Sequence, residues 1–185
     1  MKSRRNSRSW AMAYCGMAAA LSIALMLLGA VIPVLMFIAP AVASFLIATV
    51  CVECGGTMAW TAYGAVSLLG LLFVPDKEEA LTFVFLLGYY PLVKPRFEKI
   101  RSKILRALSK LLLCNGSILL MYGLVLLLVP AGNISQDLKA TALAVSLSTL
   151  AMGNVAFLLY DRALHNMLQV YRVLWQPRLH RMLGR

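Results

Sequence analysis

From Ser9 to Val52 the chain runs for 44 residues without a single charge. Three more uncharged runs follow: Gly55–Pro75 with 21 residues, Leu111–Gln136 with 26 and Ala140–Tyr160 with 21. A helix needs about 20 apolar residues to cross the roughly 30 Å of hydrocarbon in a bilayer. The first run is long enough for two crossings joined near Pro33–Pro40, and each of the others holds one. Hydrophobic residues make up 61% of the chain, well above the soluble-protein norm of about 45–50%.

A further span is less obvious. Ala80–Val93 has 14 uncharged residues, or about 21 Å of helix. It crosses only if it is short, thins the bilayer locally or takes in Glu78 and Glu79 at its outer end. Its rival reading is a re-entrant or buried segment. Charge favours the crossing, because cytoplasmic connections are enriched in Lys and Arg. With six spans and both termini inside, sixteen of the eighteen Lys and Arg residues lie on the cytoplasmic side. Only Lys77 and Lys139 lie outside, beside Asp76, Glu78, Glu79 and Asp137. Without the fourth span that bias collapses. The expected fold is therefore all-α: a polytopic transmembrane helical bundle in the cell (inner) membrane, read as one domain over 1–185. Its spans are expected at about 10–32, 36–53, 55–75, 78–93, 111–130 and 138–160, with a cytoplasmic tail at 161–185.

Between spans four and five, "PLVKPRFEKIRSKILRALSK" carries Lys94, Arg96, Lys99, Arg101, Lys103, Arg106 and Lys110. Phe97, Ile100, Ile104, Leu108 and Leu111 recur at helical spacing within and just beyond it. The pattern predicts a basic amphipathic helix over 95–110, which marks topology and can lie on anionic lipid. It can equally present a docking surface to a cytoplasmic partner. The net charge of +11 sits where a membrane protein places it. No nucleic-acid motif accompanies it, so nucleic acid is not an expected partner. The N-terminal "MKSRRNSRSW" and the apolar run after it resemble a signal peptide, with "AVAS" at 41–44 as a cleavage site. The apolar run continues past that site to Val52, which favours an uncleaved first span.

Few residues carry chemistry. "CVECGG" contains C-x-x-C, and Cys15 and Cys114 fall at the same predicted inner face. The pattern supplies only half of a zinc site, so packing cysteines and no bound metal or other cofactor are expected. Glu53 lies nearest a span end and is expected to reach a headgroup-zone cation. Trp10, Tyr14, Tyr89, Tyr90, Tyr160, Tyr171 and Trp175 fall near predicted inner boundaries as an aromatic belt. Among polar residues within spans, Asn115, Tyr122, Asn154 and Ser146 are the candidates for contact with a small polar ligand. Their other reading is interhelical hydrogen-bond glue. Gly16, Ala20 and Ala24 are four apart on one face of span one, which permits close helix approach, within the bundle or to a partner. His165 and His180 are the only histidines. No HExxH, G-x-S-x-G or phosphate-cradling loop occurs, so an enzyme is not expected.

Six spans in 185 residues, both ends inside, a small-residue face on span one and no ATP-binding domain resemble the substrate-binding S component of energy-coupling-factor transporters. "MLLGAVIPVLMFIAPAVA", "LLFVPDKEEALTFVFLLGYYPLVKP" and "GNVAFLLYD" are similar to an uncharacterised group of Firmicute membrane proteins associated with that family. The resemblance implies capture of a micronutrient from outside and docking on a transmembrane coupling subunit that carries two ATPases. It places Ala20 and Ala24, extended by Gly16, at the coupling-subunit contact, matching the family's Ala-x-x-x-Ala motif. No vitamin-specific pocket residues match, and the predicted outer half offers no charged residue to meet a charged vitamin. The alternative function is a membrane scaffold or assembly protein that recruits cytoplasmic partners or anionic lipid through the 94–110 segment and the tail.

Overall fold

A computed structural model describes residues 2–98, 100–128 and 137–177, with side chains for most of them. All of the regular structure among the described residues is helical. In order, the elements are α1 (Lys2–Val31), a short 3₁₀ turn (Pro33–Leu35), α2 (Ile38–Cys54), α3 (Gly56–Phe73), α4 (Lys77–Thr82), α5 (Tyr90–Glu98), α6 (Lys103–Leu128) and α7 (Asp137–Val170). Two π-helical turns, Phe83–Leu87 and Tyr171–Trp175, continue α4 and α7. Among the described residues three segments are long and apolar enough to cross a membrane: Ser9–Val31, Gly56–Phe73 and Ile104–Met121. The chain forms two compact units, one of residues 1–95 and 163–185, the other of 96–162.

In the first unit, local sequence sets the helix ends. α1 stops at Val31, just before Pro33, whose ring disfavours helix in the preceding residue. A single residue, Gly55, joins α2 to α3 with φ of 90°. Only glycine adopts that left-handed backbone without steric cost, so α3 can fold straight back along α2. α3 ends at Val74, whose extended backbone (φ −73°, ψ 121°) is what the following Pro75 requires. The Lys77 ammonium donates to the carbonyls of Leu71 (2.9 Å) and Val74 (3.0 Å), covering acceptors left open at that end. Asp76 caps α4 by accepting from the backbone N–H of Glu78 at 3.0 Å and, more weakly, of Glu79 at 3.5 Å.

α1 runs antiparallel to α2. Tyr14 pairs with Thr49, and Ser22 donates to the carbonyl of Ala43. α1 runs parallel to α3, with Cys15 at Met58 and Met26 at Gly70. Ala18, Ala43, Ala59 and Ala62 line the core between these helices, with Met26, Ile47, Val50 and Val66 filling it. Small residues let backbones approach closely where lipid supplies no hydrophobic driving force between helices.

Two expected helices come out differently. Residues 78–93 do not form one helix. α4 with its π turn covers Lys77–Leu87, about 16 Å. The chain then bends at Gly88–Tyr89 before α5. The N–H of Gly88 bonds the Phe83 carbonyl at 2.7 Å, closing the wide π turn. The amphipathic helix expected over 95–110 is likewise split. α5 ends at Glu98 and α6 begins at Lys103, because the Ser102 hydroxyl accepts from the N–H of Leu105 at 3.4 Å and opens a new helix. Apolar spacing continues across this break, so periodicity alone could not reveal it.

In the second unit α6 and α7 are antiparallel neighbours. Lys110 meets Asp161, and eight residues along α6 a side chain at Gly153 would meet Ile118 at 3.3 Å. Cys114 and Phe157 are buried between those two contacts.

Candidate functional site

The least expected feature lies at the end of the first unit that holds Pro33 and Val74. Glu79, on the first turn of α4, is 0% exposed. Neither carboxylate oxygen has a hydrogen-bond partner among the described residues. The carboxylate lies against α1 at Gly29. A Cβ built there would stand 2.5 Å from Glu79 Oε1 and 2.6 Å from the Ala39 Cβ on α2. Glycine at 29 is therefore what lets the acid tuck in. The nearest cation in sequence, Lys77, is turned onto the α3 carbonyls. Leaving a buried carboxylate uncompensated costs several kcal/mol. The sequence placed Glu79 at the lip of a span, and only the fold carries it inside the bundle.

The opposite end of this unit holds a polar chain of contacts. Tyr14 on α1 reaches Thr49 Oγ1 at 3.1 Å and the Tyr171 hydroxyl at 3.1 Å, and Tyr171 donates to Glu53 Oε1 at 3.2 Å. The Thr49 hydroxyl donates to the Leu46 carbonyl, so two phenolic protons serve three contacts. The carboxylate takes the Tyr171 proton, and Tyr14 donates to Thr49 or to Tyr171. Trp10 stacks on Tyr14 with centroids 5.3 Å apart, and Phe45 meets Tyr171 edge-on at 6.4 Å. Burial, followed by the Tyr14 and Glu53 contacts, pushes the Tyr171 phenol well above its ordinary range. Within the segment expected as the tail 161–185, Tyr171 thus docks on α1 and α2. The belt reading of Tyr14 and Tyr171 missed this, since a hydrogen bond across 157 positions leaves no local signal.

The four cysteines are free. Cys15 donates to the Met58 carbonyl at 3.7 Å and Cys54 to that of Ala11 at 3.8 Å, contacts of packing thiols. Among the described residues no group of three His, Cys, Asp or Glu side chains is placed to hold a metal.

Within the second unit, the Lys110 ammonium lies 2.7 Å from Asp161 Oδ2, with the two side chains 10% and 20% exposed. The helix register puts Asn154 level with Ser117, about 3 Å along the axis from Asn115. Asn154 donates to the Leu150 carbonyl at 2.9 Å, and Ser117 to that of Leu113 at 2.8 Å. The side-chain oxygens of Asn115 and Asn154 are both buried without a partner among the described residues. The fold thus brings these two candidate ligand residues to neighbouring levels. They lie one to two turns from the Lys110–Asp161 pair. The side chains of Tyr122 and Ser146, on α6 and α7, lie outside the described residues.

The seven cations do not form one basic surface. Lys94 is buried, its ammonium 5.9 Å from the centre of the Tyr90 ring, a cation–π contact that makes burial tolerable. Lys110 is buried in its ion pair. Arg106 donates to the Ile100 carbonyl at 2.8 Å, bracing the α5–α6 break. Arg96 and Arg101 are exposed, as are the apolar Ile104, Leu105 and Leu108. Lys99 and the side chain of Lys103 lie outside the described residues.

Gly16, Ala20 and Ala24 are exposed on α1, while Ala18, Ser22, Met26 and Gly29 on the opposite face are buried. A Cβ at Gly16 would meet nothing within 4 Å. The small-residue face therefore is not used for packing inside its own unit. No family model, curated protein or solved structure matches the chain. What stands on the chain's own residues is an all-helical protein with helices long and apolar enough to cross a membrane.

Proposed function

We propose that this chain is the substrate-capture membrane subunit of an ATP-driven micronutrient importer. In this reading it has six spans with both termini cytoplasmic, the fourth crossing at about 78–93 as a broken helix. It is not an enzyme. It takes a small molecule from outside and docks through Gly16, Ala20 and Ala24 on a coupling subunit associated with ATPases. The observation that carries the reading is the small-residue face of α1, which is exposed although its spacing suits close helix packing. A membrane helix that buries one face in its own bundle and leaves a smooth second face open is built to receive another helix. The buried oxygens of Asn115 and Asn154, without a partner among the described residues, supply acceptors for the substrate. Arg96 and Arg101, beside the apolar Ile104 and Leu105, contact anionic headgroups at the cytoplasmic surface.

The test is purification of the tagged protein from native membranes in mild detergent, read by mass spectrometry. The expected result is stoichiometric recovery of a second membrane protein with two ATPases. Recovery with cytoplasmic or envelope proteins and no ATPase would refute the transporter and favour the scaffold.

A further inference from the structure

We propose that Glu79 is the anchor of a binding site for a small organic cation, a protonated amine or quaternary ammonium, at the Pro33/Val74 end of the first unit. The proposal deepens the capture reading by naming the charge of the cargo. The carboxylate is 0% exposed, and both its oxygens lack a partner. The stretches of α1 and α2 that flank Gly29 and Ala39 bring no counter-charge, since residues 9–52 contain none. Asp76 holds the α4 cap and Lys77 the end of α3, so neither neighbour answers Glu79. Among the described residues no cation answers Glu79, and in this proposal a ligand supplies the positive charge.

Its chemistry follows from the surroundings. Gly29 and Ala39, which the carboxylate lies against, carry no oxygen side chains and Asp76 is engaged in the α4 cap, whereas a metal ion of the calcium type takes about six to eight oxygen ligands. A single carboxylate set among apolar atoms suits an ammonium on an apolar body. Met26, one turn from Gly29 and 0% exposed, packs its methyl against Gly70, where a built Cβ would stand 3.3 Å from it. A methionine re-packs readily, so its side chain can move aside for a ligand. The π turn at Phe83–Leu87 and the bend at Gly88–Tyr89 let α4 move with it.

The experiment is thermal unfolding of the purified full chain in mild detergent. Tetramethylammonium and n-propylammonium chloride are titrated against sodium chloride at equal ionic strength. At least one organic cation is expected to raise Tm saturably, by about 5 °C at a hundredfold excess over Kd. The shift is expected to vanish in Glu79→Gln and to persist in Glu78→Gln, which removes an exposed charge next door. Should Glu79→Gln fail to fold, Glu79→Asp keeps the charge, draws it back by one methylene and is expected to bind about tenfold more weakly, by loss of the direct contact. Absence of any cation-specific shift, an equal shift with sodium, or affinity unchanged in the Glu79 variants overturns the proposal. The assay needs no coupling subunit, so failure to recover ATPases in the pull-down bears on the importer reading alone.

Discussion

Gly29→Ala should destabilise the first unit, whereas Gly64→Ala on α3 should stabilise it. A Cβ at 29 would stand 2.6 Å from the Ala39 Cβ and 2.5 Å from Glu79 Oε1. Carbon atoms in contact prefer about 3.5–4.0 Å, so α1 and α2 would have to separate by about 1 Å. The glutamate can swing away, but the Ala39 methyl is fixed to its backbone and cannot. Overpacking of this kind costs about 1–3 kcal/mol. Part of that is offset by the helix preference of alanine over glycine, about 0.5–1 kcal/mol. The net loss is about 1–2 kcal/mol, or roughly 2–8 °C in Tm for a chain of this size. Gly64 has nothing within 4 Å of its built Cβ, so there only the propensity gain remains. The assay is thermal unfolding of the two variants in the same detergent, followed by circular dichroism. Equal shifts of the same sign would refute the close approach of α1 to α2 at Gly29. Adding Ala39→Gly to Gly29→Ala should recover part of the loss, a coupling expected only for residues in contact.

Three other outcomes follow from the geometry. Tyr171→Phe should free residues 163–177 by about 1–2 kcal/mol, seen as roughly tenfold faster amide exchange there; unchanged exchange would contradict the Tyr14–Tyr171–Glu53 contacts. Because the folded state raises the Tyr171 phenol, its contribution is complete below the ordinary tyrosine value near pH 10 and is lost as pH climbs beyond it. Tyrosinate absorbance should therefore show one phenol that ionises late in wild type and is missing from Tyr171→Phe. Lys110→Met and Asp161→Asn should each cost about 1–3 kcal/mol, and the double variant less than their sum, since each single change leaves a partly buried charge without its partner. Ala20→Leu should leave Tm within about 1 °C of wild type, because the position is exposed. In the importer reading it should also abolish co-purification of the coupling subunit; undiminished recovery would remove α1 from that contact.

Much of the helical layout is legible in the residues. Uncharged runs and Pro33, Pro75 and the Gly55 turn place α1, α2 and α3, because those signals act within a few positions. The failures have a common cause. Apolar spacing runs straight through 99–102, so the break before Ser102 was invisible to periodicity. The basic run reads as one charged face, yet Lys94 and Lys110 find Tyr90 and Asp161 and go inside. Asn115 and Asn154 were recognisable as polar residues in apolar helices. That their oxygens sit unpartnered at neighbouring levels was not, since it depends on the register of α6 against α7.

By itself, then, the sequence determined an all-helical chain with segments apolar enough to cross a membrane, because hydropathy is additive along the chain and each segment is judged nearly alone. The partners of individual groups were decided by the tertiary structure. Glu79 is an unremarkable acid at a helix start until α1 brings Gly29 against it, 50 positions away. Tyr171 is one of several boundary aromatics until the π turn that continues α7 brings it to Tyr14 and Glu53. Whether a polar group is solvated, paired or left alone depends on atoms distant in sequence, and that is what gives these residues their chemistry.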